Sequence, residues 1–252
     1  MSEQVTILNC RLDNLYKEDL LEKFNEGVLL PTNVDMIVKM QKDREFYRCF
    51  CQAEFKVNDS YFLKLASGLL GLPLKDIVSG SDFFPCFYRY HKDNKDVRVF
   101  LLGAEEGIGR QAMDKINANV NRQIVIGCYS PPLGFEKDEA TCMKIVDMIN
   151  KSNATVLAVG LGAPKQEKWV YKYKDHFTAI KRILCIGATI DFEAGYIKRA
   201  PPIIRKYGLE WLFRLLKEPK RLWKRYLIED TPFFWLFVKQ LLGIYKNPFE
   251  DS

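Results

Sequence analysis

The feature that most constrains the fold is an alternation of short apolar runs with longer segments of helical periodicity, which continues to about residue 190. Several of the apolar runs carry no charge, as is typical of strands buried on both faces of a parallel sheet. We predict strands at Val5–Leu8, Gly27–Leu30, Glu54–Val57, Val97–Leu102, Gln123–Gly127, Thr155–Val159 and Ile183–Ile186, and helices at Val34–Arg48, Tyr61–Leu70, Asp82–Tyr90, Glu106–Ala118, Glu139–Asn150 and Pro164–Tyr173. This order predicts an α/β fold with a Rossmann-like parallel-sheet core and helices on both faces.

Three of the predicted strands end in turns built from glycine and small residues, which are Leu102-Gly103-Ala104, Gly160-Leu161-Gly162-Ala163 and Gly187-Ala188-Thr189. Ligands of open parallel sheets bind at these strand ends, and such turns let a backbone approach a phosphate. One such turn is equally compatible with a tight connection, but three in one sheet favour a nucleotide-type ligand. The run from Gly103 to Gly109 departs from G-x-G-x-x-G and carries two carboxylates, which disfavours a nicotinamide-dependent oxidoreductase.

Two carboxylates follow predicted strands. Asp59 lies between a strand and a helix, where it is either a general base that takes a proton from an attacking hydroxyl or the N-cap of the helix. Asp191 follows the last strand in a predicted loop, where it either orients a sugar or ribose hydroxyl or caps its own backbone. Spacing alone leaves both alternatives open for each residue.

The positive charge is concentrated in one segment. Residues 196–226 contain ten Lys or Arg and two Glu, a surplus of eight positive charges, whereas the whole chain has a net charge of +6. Aromatic residues and leucines alternate with these cations, and Pro219 is expected to divide the segment into two helices. Basic amphipathic helices with tryptophans suit an anionic membrane surface, while a solvated helix face and a nucleic-acid surface are weaker alternatives. We therefore predict a core over residues 1–195 and a basic helical appendage over residues 196–252.

The cysteines and the chain ends indicate a cytoplasmic protein. The seven cysteines are odd in number and lie in or beside apolar runs, unlike a secreted disulfide framework. The first residues lack a signal-peptide pattern, and the longest uncharged apolar run near the end, Phe233–Val238, is too short for the roughly 20 residues of a membrane span. No D-x-D motif occurs, and Cys49 and Cys51 have no second ligand pair at zinc spacing, so we predict no metal and no cofactor.

Several motifs together resemble the WecG/TagA/CpsF family of glycosyltransferases, over about residues 5–230. The most specific are the continuous segment Val159–Trp169 and the string Gly187-Ala188, Asp191-Phe192, Ala194-Gly195, Lys198–Pro201, Gly208–Trp211, Arg214-Leu215, Glu218-Pro219 and Arg221. Shorter matches are Thr32–Asp35, Gly80–Asp82 and Leu101–Gly103. The resemblance implies an inverting, metal-independent enzyme that transfers a sugar from a UDP-sugar to a saccharide linked to polyprenyl diphosphate, in the synthesis of a cell-surface polysaccharide. It also implies a peripheral location on the inner face of the cell membrane and possible homo-oligomers.

The resemblance assigns roles to residues of this chain. It implies that Asp59 is the catalytic base. Donor contacts are implied for Gly103, Gly160, Gly162, Gln166, Glu167 and Asp191, and acceptor or diphosphate contacts for Thr32, Asn33, Arg199, Arg214 and Arg221. Two positions depart from the family pattern, since Ser60 replaces the glycine after the base and Pro31-Thr32-Asn33 replaces Thr-Pro-Asn. The alternative hypothesis is a non-catalytic protein that binds nucleotide sugars or docks on membranes.

Overall fold

The computed structural model describes residues 3–249, apart from the side chains of Pro202 and Lys206. The chain begins with an antiparallel hairpin of β1 (Gln4–Ile7) and β2 (Cys10–Asp13). The main sheet contains β3 (Gly27–Thr32), β4 (Phe55–Asn58), β5 (Val99–Gly103), β6 (Val125–Tyr129), β7 (Val156–Gly160) and β8 (Arg182–Cys185). Its strand order is β4-β3-β8-β7-β5-β6, and every neighbouring pair is parallel.

Helices connect the strands and continue beyond the last one. Those before residue 195 are α1 (Lys17–Lys23), α2 (Val34–Met40), α3 (Arg44–Gln52), α4 (Tyr61–Leu69), α5 (Gly80–Tyr90), α6 (Ile108–Val120), α7 (Glu139–Lys151), α8 (Lys165–Tyr173) and α9 (Thr189–Ala194). Those after it are α10 (Pro202–Lys206), α11 (Glu210–Lys217), α12 (Pro219–Lys224) and α13 (Pro232–Leu241), with a π-helical turn at Arg225–Glu229 between the last two.

The sheet is covered by helices on both faces, and because successive strand side chains point to opposite sides, they divide between two cores. In β5, Val99 and Leu101 join a core formed with α1, α5, α6 and α9, whereas Phe100 and Leu102 join a core formed with α2, α3, α4, α7 and α8. The second core also includes the β1-β2 hairpin and two phenylalanines of α13. The predicted α/β fold with a parallel sheet and helices on both faces is therefore confirmed.

Local boundaries differ from the prediction at three places near the N-terminus. The helix predicted over 34–48 is two helices, because the Asp43 side chain accepts from the Phe46 amide (3.0 Å) and starts α3. Strand β2 was not predicted, since its two-residue turn at Leu8-Asn9 has no glycine and Leu8 itself adopts a positive φ of 55°. The short helix α1 was also missed.

The chain after residue 195 folds onto the core rather than extending from it. Pro219 begins α12, so the predicted division into two helices is confirmed. In α13, Phe233 and Phe237 are buried, and the Gln240 Oε1 atom accepts a hydrogen bond from the Leu8 amide (2.7 Å). Within residues 3–249, the helices are all too short or too polar to cross a bilayer.

Candidate active site

A cavity of about 790 Å³ lies beside the carboxyl ends of β3 and β4, and the helices that follow residue 200 close it. The residues of its wall that precede residue 195 include Asn33, Asp35, Asp59, Ser60, Phe62, Asp82 and Phe192. Those that follow residue 200 include Arg205, Glu210, Trp211, Arg214, Arg225, Tyr226, Asp230 and Phe234. The size is that of a small-molecule site, and the wall combines aromatic rings with charges of both signs.

Asp59 projects from the end of β4 into this cavity. Its amide donates to the Thr32 carbonyl (2.7 Å), which fixes the end of β4 against the end of β3. The helix that follows is capped by Ser60, whose Oγ accepts from the Leu63 amide (3.4 Å), so Asp59 is not the N-cap. The position that the family pattern gives to glycine is thus occupied by a capping serine.

The surroundings of Asp59 favour a protonated carboxyl at neutral pH. Its pKa is raised to about 8, mainly by burial and also by the negative charges of Glu210 and Asp82, against the opposing charges of Arg214 and Arg199. A carboxylate that regains a proton this easily is a competent general base near neutrality, since the best catalytic pKa lies near the working pH.

Arg214 supplies an available cation to the cavity. Its guanidinium lies 5.7 Å from the centre of the Phe192 ring. Its Nε is buried and has no hydrogen-bond partner within the described part of the chain. A buried donor without an acceptor is costly, so this arrangement suits a ligand that brings an anionic oxygen.

Asp82 and two arginines join the appendage to the core. Arg199 Nη2 lies 2.7 Å from Asp82 Oδ2 and Arg205 Nη1 lies 2.9 Å from Asp82 Oδ1. Arg199 also donates to the Ser81 carbonyl (2.9 Å), and its Nε lies 3.6 Å from Glu210. Burial alone would raise the pKa of Asp82, but hydrogen bonds and the charge of Arg199 hold it below its usual value.

The glycine turns meet at the ends of β5, β7 and β8. A Cβ atom on Gly103 would lie 2.5 Å from the Gly160 carbonyl oxygen, and one on Gly160 would lie 2.7 Å from the Gly187 oxygen. Larger residues would force these strand ends apart. The connections after β5 and β7 lead in opposite directions along the sheet, which is where open sheets place ligands.

Two buried polar residues follow the turn at Gly162. The Gly162 amide donates to Gln166 Oε1 (3.3 Å), and Gln166 Nε2 donates to Glu167 Oε1 (2.6 Å). Glu167 is buried, its Oε2 has no partner among the described residues, and burial raises its pKa to about 7 against the hydrogen bond from Gln166. These two hydrogen bonds hold the turn at Gly162 against the side chains of α8.

The structure brings only some of the predicted site residues together. Asp59, Asn33 and Arg214 line the cavity, whereas Gly103, Gly160, Gly162, Gln166, Glu167 and Asp191 are not among the residues of its wall. Asp191 lies in α9 and not in the predicted loop, beside the cavity residue Phe192, and burial raises its pKa.

Asn33 and the remaining predicted residues make hydrogen bonds or ion pairs within the protein. Thr32 is fully buried and donates to the Leu30 carbonyl (3.1 Å). Its neighbour Asn33 caps α2 by accepting from the Met36 amide (3.1 Å). Arg199 is held by Asp82, and the exposed Arg221 pairs with Glu218 (2.6 Å).

Sequence reasoning did not identify several charged residues of the cavity as site residues, namely Asp35, Asp82, Arg205, Glu210, Arg225 and Asp230. Asp35 and Asp82 belong to short motifs that the sequence analysis noted, which was a usable signal. Nothing in the local sequence marks Asp230. Within residues 3–249, no three His, Cys, Asp or Glu side chains are grouped as metal ligands would be.

Comparison with known proteins supports the resemblance. Residues 5–247 match the model of the Glycosyl transferase WecG/TagA/CpsF family. A protein of Bacillus subtilis (strain 168) is 29% identical over 244 residues, which cover 95% of this chain and 91% of that protein. A protein of Bacillus spizizenii is 29% identical over 204 residues, or 81% of this chain and 76% of the relative. Each is named N-acetylglucosaminyldiphosphoundecaprenol N-acetyl-beta-D-mannosaminyltransferase. The chain therefore belongs to the WecG/TagA/CpsF family of glycosyltransferases.

Proposed function

We propose that the protein transfers an N-acetylmannosamine-type sugar from a UDP-sugar to a saccharide carried on polyprenyl diphosphate, with inversion and without a metal ion. The names of the two Bacillus relatives support the sugar and the lipid-linked acceptor. The observation that carries the proposal is the presence of Asp59, with a pKa of about 8, in the same cavity as Arg214. One group is suited to take a proton and the other to hold an anionic leaving group.

The proposed reaction is a single displacement. Asp59 removes the proton from a hydroxyl of the acceptor sugar, and the freed electron pair forms a bond to the anomeric carbon of the donor. The bond from that carbon to the diphosphate oxygen breaks, and its electrons leave with UDP. Arg214, which lines the same cavity as Asp59, stabilises the charge that develops on the diphosphate. Attack opposite to the leaving group inverts the anomeric centre, and Asp59 later returns its proton to water.

A transfer assay tests this function. The full-length protein is incubated with UDP-N-acetylmannosamine and a short-chain polyprenyl-diphosphate N-acetylglucosamine, and the disaccharide product and UDP are measured together. We expect Arg214→Gln to lower kcat by about 100-fold, the usual cost of one stabilising donor. The exposed surface variant Arg110→Gln is the matched control. If the wild type binds the UDP-sugar but forms no disaccharide, the non-catalytic alternative holds.

We further propose that residues 1–195 carry the catalytic core and that residues 196–252 complete the site and rest on the anionic inner face of the cell membrane. Large apolar side chains of this segment are exposed, including Ile203, Leu212, Leu216, Trp223, Leu227, Trp235 and Leu242. Lysines 198, 217, 220 and 224 are exposed in the same segment. Apolar residues bordered by cations suit a headgroup region that contains anionic lipids.

Vesicle flotation tests the membrane contact. Leu216 lies in the appendage and is 73% exposed, whereas Leu133 lies in a loop of the core and is 99% exposed. We expect Leu216→Glu to reduce flotation with phosphatidylglycerol vesicles because a carboxylate is repelled there, and Leu133→Glu to float like the wild type. Equal loss in both variants, or no flotation of the wild type, would contradict the proposal.

A further inference from the structure

One wall of the cavity, made by α2, the π-helical turn and the start of α13, carries two acidic side chains. Asp35 is buried, and its Oδ2 forms ion pairs with Lys39 Nζ (2.9 Å) and with Arg225 Nη2 (3.3 Å). Asp230 is 9% exposed and lies close enough to Asp35 for their charges to interact. The mechanism proposed above uses neither carboxyl.

Asp230 has an unsatisfied hydrogen-bonding atom. Its Oδ1 is buried and has no partner in the described part of the molecule. The pKa of Asp230 is raised to about 7, mainly by burial and also by the charge of Asp35, against the opposing charges of Arg225 and Lys39. Asp230 lines the cavity, and because the terminal torsion of an aspartate is broad, rotation about it can turn this oxygen toward a ligand there. A buried polar group beside a cavity without a partner indicates a ligand that completes it.

Four aromatic residues line the same cavity as these carboxyls. The Phe62 ring lies 5.8 Å from Phe234 and 5.9 Å from Trp211, and Trp211 lies 6.1 Å from Tyr226. All four residues line the cavity. Apolar ring faces beside hydrogen-bond acceptors match a pyranose, which presents C–H groups on its faces and hydroxyls around its edge.

We propose that Asp230 and Asp35 form a subsite that holds the hydroxyls of a neutral pyranose and excludes a sugar that bears a carboxylate. The proposal rests on the transfer function above and specifies its substrate class. The charge of Asp35 is paired with Lys39 and Arg225, whereas Asp230 has no ion-pair partner within the described residues, so a carboxylate on the sugar would be repelled mainly by ionised Asp230. A neutral hydroxyl instead donates to the open oxygen of Asp230.

The pyranose is either the transferred sugar of the donor or the sugar of the acceptor. Steady-state kinetics of Asp230→Ala in the full-length protein separate the two, with UDP-N-acetylmannosamine and the polyprenyl-diphosphate N-acetylglucosamine varied in turn. We expect KM to rise by about tenfold for one of them, the cost of a hydrogen bond to a charged group, and to stay unchanged for the other. The substrate whose KM rises is the one that the subsite holds.

Asp230→Asn tests the charge separately, because it keeps the shape of the side chain. We expect this variant to reduce the preference for the neutral sugar over its hexuronic acid, measured as the ratio of kcat/KM values, by about tenfold. The hexuronic acid used is the analogue of the substrate whose KM rises in Asp230→Ala. Asp114→Asn, an exposed residue of α6, is the matched control and should change neither KM nor the ratio.

The possible failures are distinguishable. If the wild type transfers no sugar, the proposed function fails and the subsite fails with it. If the wild type is active and both Asp230 variants keep the wild-type KM values and selectivity, the subsite alone is wrong. A uniform fall in kcat with unchanged KM values and unchanged selectivity also overturns it, because that is the result of a merely structural role. Thermal denaturation of Asp230→Asn identifies loss of folding.

Discussion

Replacement of Asp59 by Asn should stabilise the fold while it removes activity. Burial raises the pKa of Asp59 to about 8, whereas an aspartate in an unfolded chain titrates near 3.9. The folded state therefore favours the neutral carboxyl. Its contribution to stability is complete below about pH 4 and is lost as the pH rises through about 8, because the fold must then hold a buried negative charge. Asparagine has a similar shape and carries no charge at any of these pH values.

The magnitude follows from the size of the shift. Each unit corresponds to 1.36 kcal/mol, so a shift of about four units sets an upper limit of about 5 kcal/mol above pH 8. The side chain is only partly buried and faces a cavity that water enters, which screens the charge. We expect Asp59→Asn to gain about 2 kcal/mol in the free energy of unfolding at pH 9 relative to the wild type, and clearly less at pH 5.

Urea denaturation at both pH values measures the difference, with Asp114→Asn as a control for the loss of one exposed carboxylate. In the transfer assay we expect kcat of Asp59→Asn to fall by about 100-fold or more, and the wild-type kcat/KM to rise with pH to a plateau above about 8. The reasoning is refuted if the stability difference is the same at pH 5 and pH 9. A wild-type kcat/KM that is flat between pH 6 and 9 would remove Asp59 from the role of base.

Two further predictions concern the glycine turns and the clamp on the appendage, which is the pair of ion pairs from Asp82 to Arg199 and Arg205. Gly160→Ala places a methyl group 2.7 Å from the Gly187 oxygen and should lower the free energy of unfolding by about 2 kcal/mol, whereas Gly68→Ala in α4, with no atom within 4 Å of its Cβ, should raise it by about 0.5 kcal/mol. Equal urea midpoints for the two variants would contradict the packing argument. Asp82→Asn removes the acceptor of two ion pairs and should speed tryptic cleavage after residues 199–225, while Asp114→Asn, which loses one exposed pair, should not. The clamp is wrong if Asp82→Asn and the wild type are cleaved at the same rate.

Most of the sheet could be predicted because its central strands are buried and apolar. Runs such as Val99–Gly103 and Val156–Gly160 are apolar throughout, and helical periodicity fills the sequence between them. Strand β2 was missed because its sequence, Cys-Arg-Leu-Asp, alternates over only four residues and follows a turn without glycine. The break between α2 and α3 depends on one side-chain cap, at Asp43, which also suits the interior of a polar helix face.

The site was predictable to the extent that it depends on strand ends. Asp59 could be singled out because a carboxylate after a parallel strand faces the ligand edge of a sheet. Whether it or Ser60 caps the helix depends on a backbone geometry that spacing does not determine. Asp230 could not be found in this way, since its position opposite Asp35 results from the return of a distant segment onto the core.

The fold also changes the meaning of the basic segment. Its surplus of eight positive charges suggested a surface available to phosphates, yet Arg199 and Arg205 bind Asp82, and Arg225 binds Asp35. These arginines hold the segment against the core, so their charge is largely neutralised before any substrate arrives. Arg214 differs because no acidic partner within the described residues lies at ion-pair distance, while its buried Nε lacks an acceptor as those of the other three arginines do. Arg199, Arg205 and Arg225 therefore hold the segment that closes the cavity, whereas Arg214 is available to bind an anion. Asp82→Asn should loosen the segment and speed its cleavage, whereas Arg214→Gln should lower kcat.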